Sequence, residues 1–243
     1  MTCEPSPVCG EPSSAALAVA APSLALGLAP GLMPRVKPRF RGLSHLVAAC
    51  IATPAVVLLW LGASSWVARW GAAVYGLSLV TLLAASATVH RPTWRPQARD
   101  WLGRVDQAAI FLFIAGSYTP FGLLLGPGGH RLLVLVWCAA LAGVVLSALW
   151  PTAPKPLMAG IYVAFGWCFA LLIPALSRAA GLTVLGLIVA GAVAYTVGAV
   201  IYSLRRPDPF PRTFGYHEVF HLLVVAAAAC HFAAVSLALP GLG

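Results

Sequence analysis

Phe214-Gly-Tyr-His-Glu-Val-Phe-His221 opens an apolar run that continues from Leu222 to about Leu239. His217 and His221 are four residues apart. In a helix that spacing stacks the two side chains on one face, about 6 Å apart along the axis. Two imidazoles so placed can hold one divalent metal, zinc above all. The helix is apolar enough to cross a bilayer, where ionisable groups are costly and usually functional. The rest of the chain is therefore expected to bring a third ligand and a water-activating group to this pair.

Composition places that helix in context. Of 243 residues, 60% are hydrophobic and only 9% are charged, against about a quarter in soluble domains. Apolar runs near 20 residues recur, which indicates a polytopic, all-α membrane protein. The net charge of +9 does not point to nucleic acid, because the positive residues fall between apolar runs, as in cytoplasmic loops. Membrane lipids are the expected partners. Cys50, Cys138, Cys168 and Cys230 lie inside apolar runs and behave as small hydrophobes, and Cys3 and Cys9 form no CxxC or paired pattern.

Residues 1–34 are rich in Pro, Ala and Ser, and their apolar patch lacks a basic flank and is interrupted by Pro22 and Pro30. They read as a disordered tail or a mis-assigned start, and residues 35–243 read as one membrane domain. Arg35-Val-Lys-Pro-Arg-Phe-Arg41 is a basic stop before the first span. Seven helices are expected, at 43–61, 66–90, 106–126, 131–150, 157–176, 182–204 and 217–239. Twelve Lys and Arg residues fall on the N-terminal side of such a bundle and three (Arg69, Arg131, Arg178) on the other. The bias sets the N-terminus in the cytoplasm, and the plasma membrane is the expected location.

This topology gathers residues that are far apart in the chain. His90 ends helix 2, Asp106 begins helix 3, and His217 and His221 lie in the first turns of helix 7. All are then at cytoplasmic helix ends and at similar depth. Three histidines plus one water form a common open zinc site. Ser86 lies one turn before His90 and could hydrogen-bond a ligand or the water. At the start of helix 3, Asp106 would be kept ionised by the helix dipole and Arg104. Blander readings are interfacial histidines, a dipole-favoured carboxylate and a packing serine. His45 reads as a supporting or structural group, His231 as bonding across the bundle, and His130 as a loop residue without a role.

His217-Glu-Val-Phe-His221 also matches the H-E-x-x-H pattern of zinc metalloproteases, in which Glu is the base. An intramembrane protease would need a third ligand, and Asp106 is the only acidic residue that could supply it.

Ser86-Ala-Thr-Val-His90, Asp106-Gln-Ala-Ala-Ile-Phe-Leu-Phe-Ile-Ala-Gly-Ser-Tyr-Thr-Pro120 and Phe214-Gly-Tyr-His-Glu-Val-Phe-His221 closely resemble the hemolysin III family. That family belongs with the progestin and adiponectin Q receptors and includes bacterial membrane-homeostasis proteins. Arg41-Gly-Leu-Ser-His45 fits too, and the resemblance runs from about residue 35 to 240. It implies a seven-transmembrane-helix bundle with a cytoplasmic N-terminus. It also implies Zn2+ held by histidines matching His90, His217 and His221, assisted by a serine and an aspartate matching Ser86 and Asp106. Glu218 is Gln in the adiponectin receptors, so the resemblance does not make it the catalytic base. Relatives are described as zinc-dependent, ceramidase-like lipid amide hydrolases.

The expected function is control of membrane lipids and fluidity, by hydrolysis of a lipid amide or ester. A non-enzymatic sensor or receptor with structural zinc, or a pore-forming cytolysin, are the alternatives. A pore calls for a polar lining, and no helix carries a polar stripe along its length. The charge bias makes one prediction: a reporter fused after Gly243 is active only in the extracytoplasmic compartment. Activity in the cytoplasm would refute both the helix count and the shared depth of the polar residues.

Overall fold

The structure is a computed structural model that describes residues 37–242; the segment 1–34 lies outside the described residues. The described chain is all-helical, with a single isolated bridge between Phe210 and Phe214 and no strand. Its α-helices are α1 (Leu43–Leu61), α2 (Trp66–His90), α3 (Pro96–Leu124), α4 (Gly126–Leu149), α5 (Lys155–Trp167), α6 (Ile173–Leu204) and α7 (Tyr216–Ala238). Among the described residues, six helical stretches are long and apolar enough to cross a membrane, the fifth being the run Lys155–Leu204.

α3 and α4, like α6 (expected from 182), start earlier than apolarity alone suggests. α3 begins at Pro96, not at Asp106. Its first turns, Pro96-Gln-Ala-Arg-Asp-Trp-Leu, contain good helix formers outside the apolar window, and proline suits the first helical position. Asp106 therefore lies ten residues into the helix, about 15 Å from its start. The dipole support expected for its carboxylate does not apply at that distance. α4 likewise begins at Gly126 rather than 131, with proline in its first turn.

The fifth stretch is irregular. α5 passes into a 3-10 turn, Cys168–Leu172, and Pro174 opens α6 without an N–H to give. The Tyr118 hydroxyl of α3 lies 2.9 Å from the Gly166 carbonyl and 3.1 Å from that of Phe165. Here a neighbouring helix satisfies backbone that the irregularity frees, as an apolar surrounding demands. Gly181 is non-helical (φ 84°, ψ 167°) and separates the first turns of α6 from the rest of that helix.

α3 is at the centre, touching α2, α4, α5, α6 and α7, while α7 packs chiefly on α6 and also on α1. Small residues allow the close approaches. A Cβ on Gly143 of α4 would enter the Phe111 ring of α3, and one on Gly116 would strike Ser78 of α2. Buried hydroxyls turn back on their own helices: Ser117 donates to the Phe113 carbonyl (2.8 Å) and Ser147 to that of Gly143 (3.0 Å). The outer surface is apolar, with Leu58, Leu77, Leu135, Leu149 and Leu182 all exposed. Trp60, Trp66 and Trp70 ring one end of the helices and Trp94, Trp101 and Trp150 the other, as at two bilayer interfaces.

Candidate metal centre

Three elements converge at one end of the bundle. His90 is the last residue of α2, and His217 and His221 occupy the first two turns of α7. The ring centroids are 4.8 Å (His90–His217), 5.0 Å (His90–His221) and 4.5 Å (His217–His221) apart. One nitrogen from each lies within 4.8 Å of the others, a group that could hold a metal ion. His221 and His217 are buried, and Nε2 of His217 has no hydrogen-bond partner. An unpartnered buried nitrogen costs free energy unless something else takes it. A metal among three imidazoles would do so, and this donor set suits zinc and neighbouring transition metals.

Asp106 comes to the same place from α3. Its Oδ2 is 3.7 Å from Nε2 of His90, farther than a hydrogen bond. Ser86, one turn before His90 and buried, faces the Asp106 carboxyl. The structure thus brings together all five residues singled out from the sequence: His90, His217, His221, Asp106 and Ser86. Asp106 arrives from mid-helix rather than from a helix start.

Glu218 has a different task. Its Oε2 accepts the backbone N–H of Gly215 at 2.8 Å, and its Oε1 is 2.6 Å from Nε of Arg41. The next free N–H of the helix, on Tyr216, goes to Asp208 Oδ1 at 2.9 Å. Two of the four orphan donors at the start of α7 are so satisfied. With one oxygen on its own helix end and the other on Arg41, Glu218 is a cap and an anchor. A metalloprotease base needs a free oxygen toward the substrate, so the H-E-x-x-H reading fails on geometry.

His231 lies farther along α7. Its Nε2 is 3.3 Å from the Ile188 carbonyl on α6, and Gly191 leaves room for its ring. It bonds across the bundle, apart from the cluster. Sequence reasoning missed the partner of Arg41, and it missed Lys37, whose Nζ lies 2.9 Å from the carbonyls of Arg91 and Pro92 beyond the end of α2. The available signal was the basic run next to His45, which charge counting had assigned wholly to topology.

A family described as Haemolysin-III related matches residues 33–232. The chain belongs to the hemolysin III family. That family lies within the progestin and adiponectin Q receptor superfamily. The hemolysin III chain is 29% identical to the Hemolysin-3 homolog of Bacillus subtilis (strain 168) over 78% of its own length and 88% of that protein. It is 32% identical to the heptahelical transmembrane protein ADIPOR2 of Oryza sativa subsp. japonica, over 73% and 86% of the two chains. With the human monocyte to macrophage differentiation factor it shares 27% identity over 67% of each. Family and helices together make it a multi-pass membrane protein.

The anchor is testable. Glu218→Ala removes both the cap and the ion pair and should lower stability by about 1–3 kcal/mol. In a double-mutant cycle with Arg41→Ala, thermal unfolding in detergent should show coupling of roughly 0.5–3 kcal/mol. Additive losses would mean that the pair carries no energy.

Proposed function

We propose that this hemolysin III protein holds zinc through His90, His217 and His221 at the cytoplasmic face of the plasma membrane. There it hydrolyses an amide or ester bond of a membrane lipid, in the service of membrane homeostasis. The observation that carries this reading is the convergence of three imidazoles, one with a buried unpartnered nitrogen, beside the carboxylate of Asp106.

Seven spans with the N-terminus inside are part of the proposal. The run Lys155–Leu204 has 50 residues, about 75 Å of helix against a hydrocarbon core of about 30 Å. The break at Gly181 is where two spans would join, and the rice relative is itself named heptahelical. The cluster shares its end of the helices with Lys37, Arg41, Arg91 and Arg99, the more basic end.

Zinc held there would supply Lewis acidity toward a carbonyl and a water of lowered pKa, about 7. The chain's own groups do the rest. Asp106, beside His90, is placed to take a proton from an attacking water and return it to the leaving group. Ser86 orients that carboxyl, and Glu218 stays with Arg41 and takes no proton.

Two measurements test this. About one zinc per chain is expected by elemental analysis, and His217→Ala and His221→Ala should each lose it, because two protein ligands rarely retain the ion. His231→Ala should keep it. Full zinc in the double mutant would show that the site is misread. Asp106→Asn should keep zinc and lower lipid hydrolysis by roughly 10²–10⁴-fold, the range for a lost general base. If that variant retains both zinc and full cellular function, the hydrolase reading fails and a sensor with structural zinc replaces it.

A further inference from the structure

α1 is the least enclosed helix of the bundle, and along its whole length only one residue is fully buried: His45. A helix so open to its surroundings has no packing reason to sink a polar ring. The ring lies flat on His221, with centroids 4.0 Å apart and planes within 13°. Neither of its nitrogens has a hydrogen-bond partner. Its close contacts are the flat face it lays on the His221 imidazole and the His221 backbone beside it.

The residues just before it meet the same cluster. Gly42 is left-handed (φ 74°), and a Cβ there would stand 2.7 Å from Cβ of His90. The backbone at Gly42 therefore lies directly against the end of α2, and only glycine combines that conformation with that approach. Arg41 reaches the other way, to Glu218, which sits on α7 between His217 and His221. One turn of chain, Arg41 to His45, thus touches His90, the segment between His217 and His221, and His221 itself. None of these contacts places a nitrogen of His45 within the three-histidine group.

We infer that the turn Arg41–His45 is a positioning element of the metal centre, in which the flat ring of His45 holds the His221 imidazole in its ligating orientation. The inference rests on the metal reading proposed above. Groups that orient metal ligands contribute strongly to affinity, and their loss typically costs about 10–100-fold. Most such groups act by hydrogen bonds. Here the fixing contact is a stack, which restricts rotation of the His221 ring without using either of its nitrogens.

The difference between a flat ring and a hydrogen-bonding ring decides the test. His45→Leu refills most of the volume without a flat face, and His45→Phe keeps the face without the nitrogens. The full chain is purified in detergent, and zinc affinity is measured by competition with a chromophoric chelator. Cobalt(II) is then substituted for zinc and its visible absorption recorded, which reports ligand geometry directly. Thermal unfolding of the metal-free proteins shows that each variant is folded. His45→Leu should bind zinc about 10–100-fold more weakly with altered cobalt bands, and His45→Phe should stay within about threefold of the parent with unaltered bands. If His45→Leu matches the parent in both readouts, the positioning role is wrong. If His45→Phe fails as badly as His45→Leu, the nitrogens matter and stacking is wrong. If His45→Leu does not fold, His45→Phe against His45→Gln carries the same decision: affinity kept by Phe and lost by Gln supports stacking, and the reverse overturns it. A parent protein that binds neither metal overturns the metal reading and this inference together. A parent that binds both, with variants that do not differ from it, overturns this inference alone.

Discussion

Buried imidazoles in an apolar bundle have few partners, and that scarcity organises this protein. His45, His217 and His221 sit among helices whose remaining buried residues are mostly aliphatic or aromatic. A buried nitrogen in such surroundings must find a neighbour or leave a donor or acceptor unmatched. The solution is convergence. The start of α1, the end of α2, the middle of α3 and the start of α7 meet at one end, and their polar groups face one another. Away from that end, some hydroxyls bond back one turn, as Ser117 does, and other polar groups cross between helices, as Tyr118 and His231 do.

Glu218 ties this convergence to the backbone. A carboxylate at the start of a helix is favoured by the free N–H groups there, and Glu218 uses one oxygen for that purpose. The other oxygen draws in Arg41, and with it the start of α1. The 6–7 connection is held by the same region: the N–H groups of Arg39 and Phe40 reach the carbonyls of Arg212 and Thr213, at 3.4 and 3.2 Å. A single acidic side chain therefore links the helix that bears two of the three histidines to a helix that bears none of them. This is why a sequence that spells a protease motif builds something else. The glutamate that would be a base is already committed to a helix N–H and to an ion pair with Arg41.

The same geometry separates structure from chemistry among the polar residues. Glu218 and Arg41 hold elements together, and their removal should be felt as stability. Asp106 of α3 and Ser86 of α2 face one another beside the histidine group. His231, bonded to Ile188 across the α6–α7 seam, belongs with the first kind.

Much of this was legible in the chain itself. Apolar runs need length and composition only, so the membrane class and most helix bounds followed directly; α1 and α2 lie where hydropathy places them. The i, i+4 spacing of His217 and His221 is local geometry, and a helix can realise it in one way. Basic loops told which helix ends share a side, and hence that His90 and Asp106 could meet the pair. Tertiary structure alone decided the rest. It showed α3 running ten residues past the apolar window, because helix formers continue a helix whether or not lipid surrounds it. It showed which atoms Glu218 pairs with, because the partner, Arg41, is 177 positions away in sequence. It showed His45 lying flat on His221, because the stacking of two rings from helices at opposite ends of the chain depends on how α1 leans against α7, and no spacing within either helix encodes that.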